Sequence, residues 1–156
     1  MKKNKKRKII KWTCLIIWMI LIFMLSNQAN SWSKTHKLIS NAFYSVDGQS
    51  NLIIIDTLNV IIRKLGHITE YLILSLLFIS LLKEYTNKNK MIIITCAIFS
   101  FLYACIDEFH QTFIIGRSGV FTDVLIDSIG IIISITIYSI ISYNKRKKPI
   151  NKHLSN

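Results

Sequence analysis

Residues 107–127 read DEFHQTFIIGRSGVFTDVLID. Asp107, Glu108, His110, Gln111, Arg117, Asp123 and Asp127 crowd into this stretch, and an apolar run flanks it on each side. Charge set into membrane-grade sequence is costly, and where it persists it faces a protein interior or a water-filled cavity. The stretch therefore reads as the polar end of one membrane helix, a turn, and the start of the next.

The rest of the 156-residue chain supports a membrane setting. Hydrophobic residues make up 51 % of it although both ends are strongly charged, so apolar runs of span length dominate. The net charge of +12 would suit nucleic acid if it were spread over one face. Instead, basic residues cluster before Lys11 and after Tyr143, each cluster abutting an apolar run. That is how cytoplasmic anchors are placed, so no nucleic-acid partner is expected; the lipid bilayer is. Cys14, Cys96 and Cys105 all lie in apolar runs without CxxC spacing. They read as small apolar residues facing lipid or neighbouring helices, not as a disulfide or zinc framework.

Working outward, the expected fold is all-α: a small polytopic membrane bundle with four transmembrane helices, one interfacial or re-entrant helix, and both termini cytoplasmic. Residues 1–8 form a basic tail, 9–143 the transmembrane domain and 144–156 a second basic tail. The spans fall at about 9–25, 63–82, 91–113 and 122–143, with an outer loop over 26–62. The first span is read as a retained helix, since no small-x-small cleavage site follows it. Ser26 to Ser50 is polar and predicts a loop, with a turn at Asp47-Gly48. Leu52 to Leu82 is apolar throughout; as one helix it would run about 46 Å, against a bilayer core of about 30 Å. Charges in its first two thirds suggest dividing it into an interfacial or re-entrant helix, Leu52–Ile62, and a span from Arg63. Gly116 and Gly119 predict a tight turn, and Pro149 predicts that the last helix does not continue.

Of the 20 Lys and Arg residues, 15 fall in segments 1–11, 83–90 and 145–156. Lys34, Lys37, Arg63, Lys64 and Arg117 are the remainder. This asymmetry puts the first set in the cytoplasm and the polar stretch on the extracytoplasmic side of the plasma membrane.

Helical spacing then sorts the polar residues into three faces. Arg63, His67, Glu70 and Tyr71 share one, with Lys64 alongside. Asp107, His110 and Gln111 share a second, with Glu108 beside Gln111. Asp123, Asp127, Gly130 and Ser134 share a third. Exposing such charges to lipid would cost up to about 2.5–3.5 kcal/mol each, so the faces should meet. They form either an ion-pair network that fixes the bundle or a pocket that binds a ligand or does chemistry. The predicted pocket residues are Arg63, Lys64, His67, Glu70, Asp107, Glu108, Gln111, Arg117, Asp123 and Asp127. His67, Glu108 and Asp123 are the candidates for acid–base work. No cofactor is assigned: the ligand types for a divalent metal are present, but H-E-x-x-H and zinc spacings are not. Ser118 lacks a nucleophile elbow and reads as a turn residue. His36 and His153 have no constellation in the sequence around them. Trp12, Tyr85 and Tyr143 sit near span ends as interfacial belt residues.

Three stretches resemble the VanZ-like family of small bacterial membrane proteins: RKLGHITEYLILSLL from Arg63, ACIDEFHQTFIIGRSGVFTDVLIDSIG from Ala104, and, more weakly, MLSNQANSWS. The second is the most specific, with D-E-x-x-Q, an arginine-bearing turn, then D-x-x-x-[DN]-x-x-G. The resemblance carries over Lys64, His67, Glu108, Gln111, Arg117, Asp123, Asp127 and Gly130. It departs at Ser134, where the family often has a second glycine, and at Asp127, where asparagine is frequent. It implies a cell-envelope protein linked to low-level resistance to the glycopeptide teicoplanin. The label phosphotransbutyrylase given to some members does not suit four membrane spans.

Four functions follow from these features. The pocket engages a lipid-linked cell-wall component or the glycopeptide; or it is an enzyme site acting on a lipid-linked or phosphorylated envelope substrate, with Arg117 and Lys64 holding phosphate. Alternatively the charges serve assembly with another membrane protein. Ion transport fits least, because the inner halves of the helices are almost purely apolar.

Overall fold

The apolar runs fold as helices in the computed structural model, which describes residues 2–29, 31–47, 52–115, 117 and 119–152. Five helices follow in order: α1 (Lys2–Ser26), α2 (Ser31–Asp47), α3 (Leu52–Leu82), α4 (Asn89–Gln111) and α5 (Phe121–Lys152). Four of them, α1, α3, α4 and α5, are long and apolar enough to cross a membrane. Their exposed side chains are largely Ile, Leu, Phe and Met, the surface expected of helices facing lipid. The expected all-α membrane bundle with a fifth, shorter helix is what forms.

The fifth helix is not where the charge pattern suggested. Leu52 to Leu82 is one continuous helix of 31 residues, with no division at Ile62–Arg63. Nothing in the segment breaks a helix, and once nucleated a helix extends at little cost per residue. The extra helix is instead α2, in the stretch read as loop. Its Thr35, His36, Ile39 and Ser40 are half-buried, a stripe at helical spacing, and α2 packs on α3. His36 Nε2 lies 3.3 Å from Asp56 on α3, a partner invisible in the local sequence. The basic amino-terminal segment is also helical from Lys2, since lysine and arginine are good helix formers. At the other end, α5 runs on to Lys152 through Pro149. That proline strips a hydrogen bond only from the carbonyl of Lys145, past the apolar stretch, where water can replace it. Gly48, Gly116, Ser118 and His153 lie outside the described residues.

The bundle is organised on α3, which contacts all four other helices and packs most extensively on α5. Small residues permit the approach, as in membrane helix pairs generally. A Cβ at Gly130 would overlap the backbone carbonyl oxygen of Ile68, so α5 and α3 touch backbone to backbone there. Ser134, one turn on, is fully buried, and its hydroxyl donates to the Ile131 carbonyl. On α4, Cys96, Ser100 and Ala104 form a buried stripe four residues apart. The hydroxyl of Ser75 donates to Ser100 and the Cys96 thiol to the Ser75 carbonyl. Cys14 is exposed on α1. Around these contacts Tyr71, Leu74, Phe78, Ile92, Val124 and Ile131 fill the core. Trp18 on α1 donates to the Glu70 carbonyl at 3.0 Å, and Tyr103 on α4 to that of Met19 at 2.8 Å.

The two ends of the bundle differ in chemistry. At one, Glu84 accepts from Arg7 at 2.9 Å and Lys11 at 2.6 Å, Trp12 donates to the Tyr85 hydroxyl, and Tyr138 donates to Asn89. The hydrogen bond from Lys11 holds the Glu84 carboxyl below the usual carboxylate range. Its contribution is therefore present above the unfolded pKa of about 4.3 and is lost as pH falls through the lower folded value. At the other end lie the polar residues of the site.

Two outcomes check this packing. Gly130→Ala should destabilise the bundle by about 1–3 kcal/mol by forcing α3 and α5 apart. Gly66→Ala, facing open space, should be neutral or stabilising by up to ~1 kcal/mol. Thermal unfolding in detergent compares them. Glu84→Gln should flatten the fall of the melting temperature on acidification below about pH 4.3, read from melting curves across that range.

Candidate functional site

A cavity of about 210 Å³ opens at the end of the bundle away from Glu84. Its α3 wall is Ile62, Arg63, Gly66, His67 and Glu70; Asp107 and Gln111 of α4 and Arg117 of the α4–α5 connection form a second side. The third comes from Leu25, Ser26 and Gln28 at the end of α1, with Thr35 of α2. Neighbouring positions on a helix differ by about 100°, so Arg63, His67 and Glu70 fall within one arc while Lys64 falls outside it. Lys64 is exposed and does not line the cavity.

One amide holds the acidic wall together. Gln111 is 2 % exposed, and its Nε2 donates to Asp107 Oδ2 and to Glu108 Oε1, each at 3.0 Å. Its Oε1 accepts from Arg117 Nη1 at 2.9 Å, and Arg117 Nη2 donates to the Leu25 carbonyl at 2.8 Å. Positive charge therefore reaches the carboxylates through Gln111, and the same guanidinium ties the connection to α1. Burial, with Arg63 nearby, lowers the proton affinity of Arg117, while Asp107, Glu70 and Glu108 oppose that shift. Glu108 Oε2 accepts from the Val120 backbone at 3.1 Å, closing the turn into α5. A Cβ at Gly119 would overlap the Glu108 carbonyl oxygen, so only glycine permits this tight return.

Behind the cavity wall, His67 Nδ1 meets Asp127 Oδ1 at 3.1 Å. Asp127 is fully buried, and its Oδ2 has no hydrogen-bond partner among the described residues. His67, Glu108 and Asp127 each bring a ligand-type atom into one group whose members lie within 4.8 Å of one another. Asp123 is half-buried in the first turn of α5, where a carboxylate favours the helix dipole. It lies close enough to act electrostatically on Glu108 and Asp127 but does not line the cavity. His110 packs on Phe23, ring centroids 4.6 Å apart.

Thus Arg63, His67, Glu70, Asp107, Gln111 and Arg117 of the predicted set line the cavity, Glu108 and Asp127 back it, and Asp123 and Lys64 lie outside. Ser26, Gln28 and Thr35 were not predicted. The sequence signal for the first two was the weakly family-like MLSNQANSWS, polar directly after an apolar run.

A family model described as VanZ/LLP1 matches residues 11–142. The chain belongs to this family. The VanZ match runs from within α1 to the last turns of the α5 span and so includes every residue of the cavity. None of the curated proteins and none of the solved structures matches the chain.

Within this VanZ-family site, Gln111→Leu should leave Asp107 and Glu108 short of a donor and cost about 1–3 kcal/mol. Gln111→Glu, which sets a third carboxylate beside them, should cost more. Thermal unfolding of the two variants beside wild type measures both.

Proposed function

We propose that this VanZ-family protein lies in the bacterial plasma membrane with its cavity facing the cell exterior, and that the cavity receives the anionic head of a lipid-linked cell-wall component. The observation that carries this is a polar cavity in which Arg63 and Arg117 stand beside Glu70 and Asp107, opening among helices whose outer surface is apolar. A ligand with an apolar tail can keep it in lipid while its phosphate meets the guanidinium pair. The charge bias supports the orientation: Lys11, Lys83 and Arg7 gather at the Glu84 end, the end that stays in the cytoplasm. Low-level resistance to teicoplanin-type glycopeptides would follow from holding the cell-wall component that the drug binds.

A second reading, a membrane enzyme acting on the same phosphorylated head, draws on one observation. The His67–Asp127 pair beside Glu108 is an acid–base set, in which Asp127 would orient His67 as base and Glu108 would serve as acid. Release of phosphate or headgroup by purified protein tests it; no turnover, with or without divalent metal, counts against it.

Binding of a polyprenyl diphosphate in nanodiscs should weaken at least about 10-fold in Arg117→Gln, the loss of one charged hydrogen bond of about 1.5–3 kcal/mol. In a strain that depends on this protein, the same variant should lose glycopeptide resistance. Affinity no better than for ordinary anionic phospholipid would sink the proposal. For orientation, a single cysteine at Ser33 in a cysteine-free background should react with an impermeant thiol reagent in intact cells, and one at Asn87 should not.

A further inference from the structure

Asp107, Glu108 and Asp127 are all at most 5 % exposed, Asp107 in the cavity wall and the other two behind it. We propose that His67, Glu108 and Asp127 form a binding site for one divalent first-row metal ion. The three residues come from α3, α4 and α5, and their ligand-type atoms lie within 4.8 Å of one another. The independent observation is Asp127 Oδ2, a buried carboxylate oxygen without a hydrogen-bond partner among the described residues. Asp127 itself is 0 % exposed. Leaving that oxygen unsatisfied in a membrane interior is costly, and metal ligation satisfies it.

The chemistry is consistent with an ion entering between groups that otherwise share a proton. His67 Nδ1 and Asp127 Oδ1 are 3.1 Å apart. On binding, the ion takes the place of that proton, which passes to solvent, and the imidazole ligates in its neutral form. Glu108 is already oriented by two donors, Gln111 Nε2 and the Val120 N–H, as outer-shell groups orient metal ligands elsewhere. One imidazole nitrogen and two carboxylates suit zinc, manganese or ferrous iron better than a soft ion such as Cu(I). His67 also lines the cavity, so the ion would lie next to whatever the cavity holds.

The site is testable with metal alone, so its failure is separable from failure of the headgroup proposal. Full-length protein in nanodiscs, stripped with chelator, is titrated with Mn²⁺ and followed by pulsed EPR. One Mn²⁺ per chain with nitrogen hyperfine coupling is expected. His67→Gln should remove the coupling, Asp127→Asn should weaken binding at least about 10-fold, and Glu84→Gln, at the opposite end, should bind as wild type does. Should Asp127→Asn not fold, the wild-type coupling and its loss in His67→Gln decide. Substoichiometric binding, Mn²⁺ without nitrogen coupling, or an affinity unmoved by Asp127→Asn overturns the proposal.

Discussion

The Gln111 side chain is the contact on which the polar end of this molecule depends. In lipid, buried polar groups must find partners within the protein. A direct arginine–carboxylate pair would have satisfied one acid. The amide satisfies more, because it donates twice and accepts once: two carboxylates of its own helix and the guanidinium beyond them. Through Arg117 the network reaches the backbone of α1, and through Glu108 it reaches the start of α5. One side chain thus links three helices and leaves the cavity face of Arg63, His67 and Glu70 open.

The pairing of His67 with Asp127 requires α3 and α5 to lie close, and Gly130 against Ile68 makes this geometrically permissible. With the backbones in contact, Asp127 comes within reach of His67. Ser134 preserves the approach where a second glycine would be roomier, because its hydroxyl folds back on its own helix. The opposite end is held by other means, basic side chains around Glu84 and aromatic contacts. The bundle is therefore fastened at both ends by polar contacts and along its middle by small-residue packing.

The cavity has two tiers. Arg63 and Arg117 stand at the wall beside Glu70 and Asp107, while Glu108 and Asp127 lie behind it, buried, with Asp127 paired to His67. The arrangement also separates residues that the sequence had pooled: Lys64 is exposed and Asp123 half-buried, and neither lines the cavity.

The sequence by itself determined the helical membrane class, the presence of four long apolar helices, the basic and polar ends, and six residues that line the cavity. Apolar run length and charge placement are local properties, and lipid makes departures from them costly. It also contained the family pattern around Asp107–Asp127. Only the tertiary structure decided that Leu52–Leu82 is a single helix, that the polar segment after α1 is a helix packed on α3, and that Ser26, Gln28 and Thr35 complete the cavity. It alone showed that Gln111 mediates between Arg117 and the acids, and that His67, Glu108 and Asp127 converge. Those facts depend on how far and at what rotation helices distant in the chain approach, which backbone contacts such as Gly130 on Ile68 set and no local spacing encodes.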